Sequence, residues 1–563
     1  MLSLDYVNIA DFGARPNKGE DSTEAVRKAI AHCRKHGIGK LVFERGRYDF
    51  KHPSFLEQYD QVMKHGAQMD LGQSSEQKAV AFRLEDMSDF EWDGGDSEFV
   101  FHGLAQPFAC LRCRSLKLHR FTVDWHRPLF LQGVVGDAGD SSAIVELGKG
   151  YEVDGPVPIA ALLNYDPDSE YPLTGTVDAF HCVERTEWLA PNRLKLHYSR
   201  PQGLKPGMHF VMRHLMNYRM GILFYECSQV QVHDVTLRYT PGMGIIGHRS
   251  EDLAFTRLKV APGAGRVLST NTDATHFISC KGEISFTECS FEGMGDDAVN
   301  VHGFYFRVRT LIDDYTIEAF VDIEPQSEMP EYPDAGDAIE FVRGDTLEPY
   351  ATHVLEAVER KSNGVVLFKF RQPIPPGMNM TDLMANATRV AALTMTDCTV
   401  RNNRARAILV QTRNVRIENC LFDHCTGTAI HLNCSIHWYE SLTVRQVVIR
   451  NNKFLECGGG CGTIGGAGVM TVSAEGAESV LVVHRDIQFR NNIVYGRGGL
   501  GLRIQSAEHM IVADNQFNGC SPIAELDHSR HIRFRGNRYD RNRAGIVIGE
   551  GCVDKTIELG KEQ

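Results

Sequence analysis

The sequence predicts an all-β protein: a right-handed parallel β-helix with an N-terminal helical cap and two small inserted β-barrel-like domains. Three observations predict it. A short motif recurs every 22 to 24 residues, two long gaps interrupt that recurrence, and a capped amphipathic helix precedes the first repeat.

The motif is an apolar residue, two polar ones, then Asn, Cys or an apolar residue, one more residue, and a second apolar one. It reads Phe286-Thr287-Glu288-Cys289-Ser290-Phe291, Ile417-Glu418-Asn419-Cys420-Leu421-Phe422 and Ile449-Arg450-Asn451-Asn452-Lys453-Phe454. It returns as Phe489 to Val494, Val512 to Phe517 and Phe534 to Tyr539. Alternating β-type segments around a small turn, repeated at this interval, make a solenoid whose coils stack at roughly 4.8 Å. Asn and Cys at the shared turn position then stack in ladders. An LxxLxL signature and four strands per repeat are both lacking, which sets aside leucine-rich repeats and propellers.

In chain order, Val7 to Ala14 reads as a strand and turn, and Asp21-Ser22-Thr23 caps a helix running to about Cys33. A solenoid needs such a cap because an open end exposes core and strand edges. Residues 51–75 show no period and are expected to be a loop. The cap and first coils occupy 1–134, the first insertion 135–216 and the next coils 217–304. The second insertion is 305–390, with an Asn-Gly hairpin at Asn363-Gly364, and the C-terminal coils are 391–563. The second insertion leaves the solenoid directly after His302-Gly303, where it can wall a cleft.

Net charge is −12 and basic tracts are lacking, so neither nucleic acid nor a polyanion is the expected partner. No apolar run reaches the roughly 18 residues of a membrane span. Fifteen cysteines is an odd number, and Cys289, Cys398 and Cys420 sit at the repeat's turn position, as buried ladder residues rather than disulfides or zinc ligands. Cys457-Gly458-Gly459-Gly460-Cys461 is too isolated to read as a metal site. No metal and no cofactor is expected.

The chemistry concentrates in Asn271-Thr272-Asp273-Ala274-Thr275-His276-Phe277 and in Gly295-Asp296-Asp297-Ala298-Val299-Asn300-Val301, 24 residues on. One coil apart is one rung apart, so Asp273 crowds against Asp296 and Asp297. Like charges push one carboxyl's pKa up, and a protonated carboxyl beside an ionised one is what glycosidic cleavage needs. A solvated Asp-Asp turn or a calcium site is the plainer alternative, but Asn271, His276, Asn300 and His302 in the same segments weigh against it. Asn403-Arg404-Ala405-Arg406-Ala407-Ile408-Leu409 aligns with the segment Gly295 to Val299, in the register that places Arg406 over Asp297, either as a balancing ion pair or as a hand on a substrate hydroxyl. The long coil near 437–440 carries Trp438, one of four tryptophans, as a sugar-stacking candidate, and Glu475 can reach the same face. From Leu481 to Ile548 the coils read as scaffold, Arg503 and Gln505 being exceptions.

These segments together resemble glycoside hydrolase family 110, bacterial exo-acting α-1,3-galactosidases that release galactose from blood-group-B-type and linear α-1,3-galactosyl glycans. The resemblance covers most of the chain. It implies inverting, metal-independent hydrolysis, with Asp273 as general acid and Asp296 and Asp297 positioning and activating water; the acid and base labels are exchangeable on the sequence. Substrate contacts then fall to Asn271, His276, Asn300, His302, Arg404, Arg406, Trp438 and Glu475. It also implies a periplasmic or extracellular protein, the export signal having been removed. A galactose-terminated glycan is the expected partner, and a homodimer is one open oligomeric state. Polygalacturonases share an Asn-Thr-Asp and an Asp-Asp pair, but the Gly-His-Gly one coil on and the Arg-Ile-Lys motif are missing. A non-catalytic glycan-binding β-helix is the alternative from another class, and three registered carboxylates exceed what sugar binding needs.

Overall fold

A computed structural model describes residues 6–65, 79–166, 171–174, 179–200, 202–215, 218–361, 364–460, 467–476, 481–540 and 545–558. The solenoid is a parallel β-helix with three faces. The coil carrying the Asp-Asp pair sends Lys281–Thr287 along the first face and Ser290–Glu292 along the second, then enters the third with Val299–Asp313. Each strand pairs in parallel with its counterparts one coil before and after: Phe286 with Phe255 and Met395, Phe291 with Val260 and Val400.

The repeat motif spans the corner between the first and second faces. Its third residue adopts the left-handed region, as at Glu288, Asn419, Asn451, Asn491 and Asp514, which Asn and Asp tolerate better than most residues. The fourth turns inward. There the Asn452 backbone N–H donates to Asn492 Oδ1 (2.9 Å), Asn492 to Asn515 Oδ1 (2.9 Å) and Asn515 to Asn537 Oδ1 (3.0 Å). Each amide nitrogen is also used, Asn492 Nδ2 donating to the Ile449 carbonyl at 3.0 Å, so the ladder satisfies buried backbone that a sharp corner would leave unpaired. Cys289 and Cys398 continue it upward, and the fourteen described cysteines are all unbridged. Cys461 lies outside the described residues. Inside, aromatic rings stack coil on coil, Phe255 on Phe286 and Phe422 on Phe454, both at 4.9 Å.

The cap helix is Thr23–His36; Asp21 rather than Ser22 caps it, accepting from the Thr23 N–H at 3.1 Å, and Gly37 ends it with φ +66°. The expected loop at 51–75 is corrected in its first part: Pro53–His65 is a second helix. Proline suits the first helical position, and Phe55, Tyr59, Val62 and Met63 follow helical spacing, with Phe55 and Val62 fully buried. Gln73 and the Ser74-Ser75 pair lie outside the described residues.

The first insertion starts earlier than expected, at strand Phe130–Ala138, and is a seven-stranded antiparallel sheet rather than a barrel closed by hydrogen bonds among the described residues. Its Phe130, Val145, Leu196 and Phe210 join the core of the solenoid itself. The second insertion is a closed antiparallel barrel. Val299–Asp313 pairs with Thr316–Phe320 and with Leu383–Asn386, and four further pairings complete the ring. This barrel has its own core around Phe306, Phe341 and Phe368. The expected turn at 361–364 includes residues 362 and 363, which lie outside the described residues; the flanking strands Pro349–Arg360 and Val365–Phe370 do pair antiparallel. The barrel's loop folds back on the third face, where Ser327 Oγ and Glu331 Oε2 meet the two nitrogens of buried His248 at 2.5 and 2.7 Å.

Candidate active site

Parallel register builds the site. Thr275 pairs with Val299, and Val299 with Ile408. Two residues upstream of each, Asp273, Asp297 and Arg406 therefore hold one turn position on three successive coils. Arg406 Nε donates to Asp297 Oδ1 at 2.7 Å, and its Nη2 lies 3.8 Å from Asp296 Oδ1. The carboxylates differ sharply in exposure. The Asp273 and Asp297 side chains are buried, whereas that of Asp296 is 44% exposed.

Burial pushes the Asp273 and Asp297 carboxyls well above the usual range. Asp296 adds to this at both, and Arg406 pulls back against it. His276 Nδ1 lies 2.6 Å from Asp273 Oδ2, His276 Nε2 lies 2.8 Å from His302 Nε2, and His302 Nδ1 lies 2.9 Å from the Gly303 carbonyl. A carbonyl only accepts, so His302 Nδ1 carries hydrogen and its Nε2 accepts from His276 Nε2–H. Burial lowers His302 and holds His276 down at about 4, so both rings are neutral. His276 Nδ1 is then an acceptor, and Asp273 must donate to it. The hydrogen-bond chain and the direction of the carboxyl's shift agree: Asp273 holds a proton.

His276, His302 and Glu440 bring ligand-type atoms within 4.8 Å of one another. The two imidazole nitrogens already satisfy each other, so the group reads as a hydrogen-bonded chain rather than a metal centre. Among the buried polar side-chain atoms on these coils that lack a protein hydrogen-bond partner are Asp297 Oδ2, Asn271 Nδ2 and Asn300 Oδ1. Such a deficit is what a bound water or sugar hydroxyl satisfies.

Other expected residues take different parts. Asn271 is fully buried, its Oδ1 accepting from Tyr239 OH at 3.1 Å and its carbonyl from Arg213 of the first insertion. Arg404 is buried and donates to the Gly295 carbonyl, bracing the Asp-Asp turn. Trp438 is 60% exposed, so its ring lies outside the core. Glu475 approaches His431 Nε2 at 4.0 Å. Neither Trp438 nor Glu475 hydrogen-bonds or ion-pairs with the carboxylates among the described residues. Sequence reasoning missed Glu440 and His431. Glu440 sits on a two-residue strand antiparallel to Gly303 and Phe304, its carboxylate 3.8 Å from His302 Nε2. Buried His431 is one coil beyond Leu409 in the row through His276 and Asn300, and the 22-residue spacing from Leu409 was the signal that could have found it.

Two family models match the chain: "Right handed beta helix region" over residues 383–559 and "GLAA-B beta-barrel domain II" over 323–384. α-1,3-Galactosidase B of Bacteroides thetaiotaomicron is 28% identical over 478 residues, 80% of this chain and 75% of that protein. α-1,3-Galactosidase B of Akkermansia muciniphila is 29% identical over 471 residues, 80% of this chain and 58% of the relative. Among solved structures, the Agl-KA catalytic domain aligns with a TM-score of 0.48 at 10% identity, covering 98% of this chain and 68% of that one. The chain is a glycoside hydrolase on a right-handed parallel β-helix. Its curated relatives are α-1,3-galactosidases A and B, consistent with the assignment to glycoside hydrolase family 110 that its motifs suggest.

Proposed function

We propose that the protein is an exo-acting, inverting α-1,3-galactosidase that removes terminal α-1,3-linked galactose from blood-group-B-type or linear Galα1-3Gal glycans. The observation that carries the reading is the stack of Asp273, Asp297 and Arg406 on three successive coils with Asp296 exposed beside it. The galactose and the linkage rest on the curated relatives, whose names specify both.

Exposure supports a division of roles. Asp296 alone of the three meets solvent, so it is the carboxyl that reaches the glycosidic oxygen and gives its proton to the leaving sugar. Asp297, its Oδ1 engaged by Arg406, whose charge favours the ionised form against the burial that raises its pKa, directs its unpartnered Oδ2 at a water and takes that water's proton as the oxygen attacks the anomeric carbon from the opposite side. Asp273, its proton engaged by His276, orients the same water. These labels exchange those carried over from the resemblance, in which Asp273 is the acid. Inverting enzymes need roughly 6.5–9.5 Å between acid and base. The Asp296 and Asp297 carboxyls both border the Arg406 guanidinium, at 3.8 and 2.7 Å.

The test is proton NMR of the protein with Galα1-3Gal. Early β-galactose supports the reading; early α-galactose overturns inversion, and no release overturns the activity.

A further inference from the structure

A cavity of about 610 Å³ opens further along the turn ridge that carries the carboxylates. The ridge is continuous: Gly427 N–H donates to the Ala405 carbonyl at 3.1 Å, and Gly458 N–H to the Gly427 carbonyl at 3.0 Å. Gly458 is thus two coils beyond the Arg406 turn, on the order of 10 Å at the inter-strand spacing, a distance that a short oligosaccharide spans.

The two sides of the cavity come from different modules. Tyr171 of the first insertion sets its ring 4.2 Å from that of His424 on the solenoid. The floor is Gly458 and Gly459. A Cβ on Gly459 would stand 2.4 Å from Thr174 Cγ2, so the close approach of the insertion admits no side chain there. Glu456 lies between His424, at 3.1 Å, and Arg497, with which it ion-pairs. Charge is therefore largely compensated within the wall, while an aromatic face and several hydrogen-bonding groups remain, the usual make-up of a site for a neutral polyhydroxyl ligand. Asp166 also lies on the lining.

We infer that this cavity binds the leaving glycan: the neutral sugar residues on the reducing side of the scissile bond, with Tyr171 as their stacking platform and Arg497 as a hydrogen-bond donor at the mouth. The inference rests on the hydrolase reading and adds to it where the remainder of the substrate lies.

The experiment uses the full chain and the variants Tyr171→Ala, Tyr171→Phe and Arg497→Ala, none of which touches the carboxylates. Saturation-transfer NMR with Galβ1-4GlcNAc probes binding without catalysis. Values of kcat/KM for Galα1-3Galβ1-4GlcNAc and Galα1-3Gal probe its use. The expected result for Tyr171→Ala and Arg497→Ala is a loss of about tenfold on the trisaccharide, the equivalent of about 1.4 kcal/mol, a much smaller change on the disaccharide, and a weakened probe signal. Tyr171→Phe should retain both. Equal losses on the two substrates, or none on either, overturn the inference. If the native protein cleaves neither glycan, the hydrolase reading fails, and the probe decides alone: loss of its signal in Tyr171→Ala keeps the cavity as a glycan site, and persistence overturns it.

Discussion

Arg406 donates to Asp297 at 2.7 Å although 109 residues, including the whole closed barrel, separate them in sequence. The pair exists because the solenoid resumes after the barrel in the register it left. The guanidinium pulls the carboxyl's pKa back down against the burial that raises it. Arg406→Met should therefore abolish turnover and destabilise the fold by about 3–5 kcal/mol, the usual cost of leaving a buried charge unpaired. Arg406→Lys should keep most of the stability and lose activity, because a single ammonium does not reproduce the guanidinium fork. Thermal unfolding and kcat of the two variants check this together.

Removing the acid and removing the base should have different signatures. Asp296→Ala should lose about 10²–10⁴ in kcat on natural glycans and much less on α-galactosides with a good leaving group, which need no protonation. Asp297→Ala should be slow on both, with azide restoring turnover as β-galactosyl azide. Product NMR distinguishes the two, and retention of glycan binding by both variants excludes a simple loss of fold.

The Asp273–His276–His302 chain predicts a split between pH dependence and binding. His276→Leu removes the acceptor that fixes Asp273's proton, so the basic limb of the kcat/KM profile should move to lower pH while substrate affinity changes little. An unchanged profile would show that the imidazoles serve packing alone.

Stability should vary with pH in opposing senses. Burial holds His214, His276 and His484 each at about 4, against 6.5 for the free side chain. Between those values the unfolded chain binds protons that the folded one does not, so stability falls as pH drops through the window, by roughly 3 kcal/mol per histidine at its low end. Asp273 and Asp297 are raised, so their contribution is fully present below about 3.8 and is lost as pH rises through their folded values. Calorimetry should find Tm climbing from pH 4 to 6.5 and declining on the alkaline side, with Asp273→Asn flattening the decline.

The asparagine ladder should behave as one hydrogen-bonded unit. Asn492→Ala strands the Asn452 backbone N–H and the Ile449 carbonyl, and at about 1–3 kcal/mol per buried unpaired group the loss should be several kcal/mol. Asn492→Asp should fare no better at neutral pH, since a carboxylate cannot donate to that carbonyl. Denaturant titration measures both.

The solenoid was legible because its corner is built from residue types: a left-handed residue followed by an inward amide or thiol, as in Asn451-Asn452 and Asn491-Asn492. The coincidence of Asp273, Asp297 and Arg406 was legible for the same reason, since a constant period turns sequence offset into spatial register. Arg213 and Glu440 were not. One arrives from the inserted sheet to grip the Asn271 carbonyl, and the other from a two-residue antiparallel strand, and neither position belongs to the period. The helix at Pro53–His65 was missed because its apolar spacing is helical while the neighbouring pattern is that of strands.

The single strand Val299–Asp313 starts beside the carboxylates and ends inside the barrel, passing through Asn300 and His302 without a break. A continuous ribbon is stiff along its length, so the barrel and the catalytic rung form one lever rather than two bodies joined by a tether. Force applied to the barrel, as in a single-molecule pulling experiment, would register first at Asn300 and His302. Swapping the barrel for another module would amount to re-setting the pitch of the lever on which the chemistry rests.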